Sequence, residues 1–159
     1  ILYDEEGNIL EEYQSLIKPD GWEVPKEKFF IDNNMSTERC EEFGVPVYEA
    51  LRRLQDALKK CNRKIAHNIN FDKQIVGKEI ELAGIALFRF KKETCTMLET
   101  INFVGALNKF GKPGKWPNLQ ELHVKCFGVE FEGAHDALDD VRATGRCFFE
   151  LKKRGILCL

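Results

Sequence analysis

Two short stretches of this chain carry the residue types that hydrolytic chemistry uses. "AHNINFD", residues 66–72, and "AHDALDD", residues 134–140, each hold a histidine followed by an aspartate at H-x-x-x-x-D spacing: His67 with Asp72, and His135 with Asp140. A hard divalent cation such as Mg²⁺ takes carboxylate oxygens, and a water to be activated needs a nearby base with a pKa close to neutrality. Two aspartates and a histidine from separate elements are the right kinds of group for metal-assisted hydrolysis. Each cluster also has a plainer reading, with Asp72 as an acid favoured in a helix's first turn, Asp136 as an N-cap and His67 as a satisfied histidine at a strand end.

The surrounding pattern says which elements present these groups. "RKIAHN" reads as a short buried strand and "FDKQIVGKEIELAG" as a helix with Ile75, Val76 and Ile80 at helical spacing, so Asp72 falls in a first turn directly after a strand. "DALDDVRATGRCFFELKKRG" reads as a long helix with Asp136 as N-cap and Leu138, Val141, Phe148 and Leu151 as its core stripe. His135 then lies just before that helix and Asp140 one turn into it. Residues 1–19 read as a β-hairpin, "ILY" and "ILEEYQSLIKP" around the polar turn "DEEGN". Residues 20–35 read as loop. "STERCEEFG" and "PVYEALRRLQDALKKC" follow as helices, the second with Val47, Leu51, Leu54 and Leu58 on one stripe. "IALFRF" is expected to be another strand, followed by an irregular stretch to Pro117 and the helix "NLQELHVKCFG". Strands first, then strands alternating with helices, predict an α/β domain with a mixed sheet.

A chain of 159 residues, 43% hydrophobic and 31% charged, suits a single globular domain over 1–159. No apolar run reaches the roughly 18 to 20 residues of a membrane helix, and no basic-then-apolar leader is present in the chain. The six cysteines are spread singly, as expected of reduced, mostly buried thiols in a cytoplasmic protein. His123 and Cys126 form a lone H-x-x-C without the second pair that a zinc site needs. With a net charge of −2, any nucleic-acid partner must be held by local patches. Such patches occur at Arg52, Arg53, Lys59, Lys60, Arg63 and Lys64, at Arg89, Lys91 and Lys92, and in "NKFGKPGKW". In the last, Lys109, Lys112 and Lys115 alternate with Phe110 and Trp116, a pattern that suits a single strand with stackable bases. "GKPGK" is not a P-loop, because Trp116 follows where a Ser or Thr would bind the metal.

Taken together and in this order, the two clusters resemble the DEDDh group of 3′-to-5′ exonucleases, the DnaQ-like enzymes with a ribonuclease-H-like fold. His67, Asn68, Phe71 and Asp72 match the second motif, H-N-x-x-F-D, and His135 and Asp140 match the third. The hairpin ending in "LIKP", "FGVPVYEAL", "CTM" at 95–97 and "WPNLQELHVKCFG" are similar to the same pattern. The resemblance implies a ribonuclease-H-like mixed sheet flanked by helices. It implies two divalent cations, Mg²⁺ or Mn²⁺, about 4 Å apart, with Asp140 and Asp72 as metal ligands and His135 as general base. His67 and Asn68 would border the cleft beside the terminal nucleotide. The implied partner is a single-stranded or frayed 3′ end, DNA favoured over RNA, with a polymerase as a further candidate and no membrane.

The family's first motif, D-x-E-T on the central strand, has no match here. Asp4 and Glu6 form the one early D-x-E, but Gly7 and Asn8 follow at once and turn the chain, so they read as the tip of the hairpin. The expectation is that the missing strand and its carboxylates lie upstream of Ile1, within about 25 to 40 residues. "IDNNM" at 31–35 also departs from the His-Gly-Ile-like segment of many relatives. The rival expectation is a non-catalytic exonuclease-like module that grips a 3′ end or a polymerase.

Overall fold

Extended apolar residues at "LY" and "ILE" build the first element, and the turn between them is closed by one carboxylate. In the computed structural model, which describes residues 1–85 and 92–157, β1 (Leu2–Tyr3) and β2 (Ile9–Glu11) pair antiparallel. Asp4 Oδ1 accepts the backbone N–H of Glu6 at 3.0 Å and of Asn8 at 2.7 Å, while Oδ2 accepts the Asn8 side-chain amide at 2.7 Å. These donors, the Asn8 amide foremost, hold the Asp4 carboxyl below its ordinary pKa. Asp4 is thus spent on the turn, as Gly7 and Asn8 require. β2 stops well short of Pro19, because Leu16 and Lys18 exchange backbone hydrogen bonds with Val45 around the parallel bridge Ile17↔Val45.

The described residues form a mixed α/β structure with eight helices and four short strands. Contacts group the chain into two compact units. One holds Ile1–Glu12, Arg63–Lys73 and the described part of Phe90–Leu159; it contains every candidate site residue. In it β3 (Lys64–Ala66) runs parallel to β4 (Glu93–Cys95), Ile65 opposite Thr94. Then come α5 (Thr96–Glu99), α6 (Ile101–Val104), α7 (Leu119–Phe127) and α8 (Ala137–Lys153). The core is the seam between α7 and α8, where Leu122, Cys126, Cys147, Phe148 and Leu151 are buried and Ile65 of β3 packs on them. Full burial of Leu122 and Leu151 stabilises by about 1.5 to 3 kcal/mol each. Tyr3 lies edge-on to Phe149 at 5.4 Å and over Gly145, where a Cβ would come within 2.6 Å of its ring. Only glycine there lets β1 rest on α8.

The other unit holds α1 (Lys28–Asp32), α2 (Thr37–Phe43), α3 (Val47–Lys60) and all but the first turns of α4 (Ile69–Leu82). Ser36 caps α2 by accepting the Arg39 N–H at 3.2 Å. In α3 the buried positions are Leu51 and Gln55.

Several sequence expectations are corrected. Residues 20–35 are not all loop, since α1 lies among them, supported by a Lys28–Asp32 ion pair one helical turn apart. Leu54 is exposed and Gln55 is buried in its place, because the covered face of α3 is centred on Leu51 and the position four along. Val141 is exposed, because burial on α8 begins only at Ala143, past the first turn. The stretch before Pro117 is not irregular throughout, for it contains β4, α5 and α6. In place of one mixed sheet, the described residues form two separate two-stranded sheets, β1–β2 and β3–β4. The strand expected at "IALFRF", beyond Ile85, lies outside the described residues, as do Arg89, Lys91 and Cys158. Of the described cysteines, Cys40, Cys95, Cys126 and Cys147 are buried. Among the described residues no helix is long and apolar enough to cross a membrane.

Candidate functional site

Strand β3 ends at Ala66, and the chain turns straight into α4 because Asn68 takes a left-handed backbone, φ +68°. Asparagine tolerates that conformation better than most residues. The turn points His67 inward. Its Nε2–H donates to the carbonyl of Pro117 at 3.0 Å, and Nδ1 lies 3.0 Å from the Thr96 hydroxyl, which itself donates to the Ala66 carbonyl at 3.4 Å. Burial lowers the His67 pKa, opposed by the Pro117 carbonyl and the nearby Asp140 carboxylate. His67 is therefore a tether joining β3, the start of α5 and the loop before α7.

Asp72 sits in the first turn of α4. It keeps contact with solvent, yet the protein around its carboxyl raises its pKa; its own backbone N–H and the Lys64 ammonium pull the other way. Lys64 also pairs with Glu93 at 2.9 Å, and Lys73 with the other Glu93 oxygen at 2.8 Å.

The second cluster is built on a sharper turn. Gly133 has φ +77°, and a Cβ there would overlap the Asp139 carboxylate. His135 has φ +80°, a left-handed conformation uncommon outside glycine. The Asp136 side chain caps α8 by accepting the N–H of Leu138 at 2.9 Å and of Asp139 at 3.3 Å. Asp139 in turn accepts from Arg142, whose guanidinium also grips Glu12 at the end of the hairpin through two donors, at 2.7 and 3.0 Å. So Asp136 and Asp139 belong to the scaffold, as their N-cap and surface positions suggest. Asp140, one turn into α8, accepts the His135 backbone N–H at 3.4 Å. Burial raises the Asp140 pKa, with Asp136 and Asp139 adding to the rise; the His135 N–H and imidazole oppose it.

His135, Asp140 and His67 are thus neighbours, His135 being solvent-exposed and His67 spent on internal hydrogen bonds. Asp72 lies at the start of a different helix. Among the described residues no group of three or more His, Cys, Asp and Glu side chains is disposed to hold a metal ion. The donors fit Mg²⁺ or Mn²⁺ in kind, being hard carboxylate oxygens. They fall short in number, since a two-metal site needs further carboxylates. Two concavities, of about 570 and 510 Å³, lie elsewhere, one beside Tyr3 and Phe149 and the other beside Val104 and Val124.

Sequence reasoning missed Thr96, fully buried, whose hydroxyl meets His67 Nδ1 and whose carbonyl accepts the Thr100 hydroxyl at 2.6 Å. The "CTM" match was the available signal. His123, of the H-x-x-C pair, is buried with Nδ1 at 2.8 Å from the Val129 carbonyl.

No family model matches the chain, and no curated protein or solved structure matches it significantly.

Proposed function

We propose that the chain is a metal-dependent 3′-to-5′ exonuclease of the DEDDh type, which hydrolyses the terminal phosphodiester of a single-stranded or frayed end and releases a nucleoside 5′-monophosphate. The observation that carries the reading is the His135–Asp140 pair: an exposed imidazole on a left-handed residue, tied through its own amide to a carboxylate whose pKa burial has raised. Backbone strain of that kind is kept where a side chain must be aimed, and it commonly marks a working site.

In this reading His135 takes the proton from the attacking water, Asp72 and Asp140 supply oxygen ligands, and His67 holds β3, α5 and the Pro117 loop in register behind them. Divalent cations, when bound, would stabilise the charge that develops on the attacking and leaving oxygens. As the water oxygen bonds to phosphorus the P–O bond to the penultimate 3′ oxygen breaks, and that oxygen takes a proton from solvent and leaves as the new 3′-hydroxyl. Behind these groups β3 pairs with β4 among the described residues.

The test is release of 5′-mononucleotides from a 3′-end-labelled single strand. Release that requires Mg²⁺ and disappears in His135→Ala supports the proposal. Binding of the strand without release in the intact protein would replace it with the gripping module.

A further inference from the structure

The loop at residues 108–116 is the most built of the basic patches. Asn108 Oδ1 accepts the backbone N–H of Phe110 at 2.9 Å and of Lys112 at 3.1 Å, and the Asn108 N–H donates to the Lys112 carbonyl at 2.9 Å. The loop is therefore set before any ligand arrives, which lowers the ordering cost of binding. It presents apolar rings to water: Phe110 is 74% exposed and Trp116 61%. The Lys109 ammonium lies 5.1 Å from the Phe110 ring, Lys112 is exposed, and Lys115 is held by Glu121. The next residue after Trp116 is Pro117, whose carbonyl receives the His67 N–H. One end of the loop is thus tied to the histidine that neighbours Asp140.

We infer that residues 108–116 are a docking platform for single-stranded nucleic acid, with Phe110 and Trp116 as stacking faces for unpaired bases and Lys109 and Lys112 as phosphate contacts. This rests on the nuclease reading only for the fate of the strand. A whole-chain charge of −2 supplies no general attraction, so alternation of cations with open rings must do the holding. Duplex bases are already stacked on each other and offer no such faces, so the platform selects single strands.

The probe is a fluorescent oligothymidylate of about ten nucleotides, within the usual span of one binding groove, titrated in EDTA so that it survives. The protein has two tryptophans, Trp22 and Trp116, so a Trp22→Phe background leaves Trp116 as sole reporter. Binding should quench Trp116 emission. Phe110→Ala should weaken binding about tenfold, the size expected for one lost base stack. Lys109→Ala with Lys112→Ala should flatten the log–log salt dependence by about 1.4, the value for two phosphate contacts on a single strand. No binding, or unquenched Trp116 together with affinities within twofold of the parent in both variants, overturns the platform even if mononucleotides are released with Mg²⁺. Conversely, platform binding without any release under Mg²⁺ keeps this inference and removes the nuclease reading.

Discussion

The two H-x-x-x-x-D clusters share spacing, a left-handed residue in the turn and an aspartate in a helix's first turn with a raised pKa, yet their histidines have opposite environments. His67 is enclosed and bonded at both ring nitrogens; His135 stands in solvent beside Asp140. The difference comes from where the left-handed residue falls. In the first cluster it is Asn68, after the histidine, so the ring is still set by β3 and points into the fold. In the second it is His135 itself, and the turn swings its ring outward. Identical spacing therefore yields an enclosed histidine in one place and a solvent-facing one in the other.

The comparison breaks most visibly in activity. His135→Ala should lower mononucleotide release by about 10² to 10⁴-fold, the usual worth of a general base, with the melting temperature nearly unchanged. His67→Ala should show the reverse emphasis: the Pro117 carbonyl and Thr96 hydroxyl lose their partner, and stability falls by about 1 to 3 kcal/mol, read by chemical denaturation. Equal stability losses in the two variants would erase the distinction.

The carboxylates sharpen it next. Asp72 and Asp140 bind protons more tightly in the folded than in the unfolded chain. Their favourable contribution is complete below the ordinary carboxylate range and is lost as pH rises through the raised values. Asp72→Asn and Asp140→Asn should therefore abolish release while leaving stability at neutral pH unchanged or higher, measured by thermal melts at about pH 4 and pH 7. His67 runs the other way: its pKa is lowered, so its contribution is present above about pH 6.5 and is lost as pH falls through the lowered value. His67→Gln should flatten that acidic limb. The smallest effect is at the turn, where Asn68→Gly should hold stability within about 1 kcal/mol and Asn68→Val should cost more.

Much of the local structure was legible. Asp4 as a turn residue followed from Gly7 and Asn8, and the cap at Asp136 followed from a residue type whose carboxylate accepts first-turn N–H groups. The helix carrying Asp140 was legible from its stripe, though Val141 shows that periodicity cannot say where along a helix its cover begins. The partners of His67 were not legible, because Thr96 and Pro117 lie 29 and 50 positions away in sequence. Nor was the parallel pairing of "KIA" with "ETC", since β3 and β4 are three residues each and no periodicity is readable at that length.

The central claim is that a water, deprotonated at His135, attacks the terminal phosphodiester. The direct measurement is hydrolysis of a single-stranded oligonucleotide by the intact protein in ¹⁸O-water with Mg²⁺, followed by mass analysis of the released nucleotide. The account predicts a 5′-monophosphate carrying one ¹⁸O, formed by the parent and by His67→Gln but not by His135→Ala. Undiminished release by His135→Ala, or label absent from the phosphate, would contradict it.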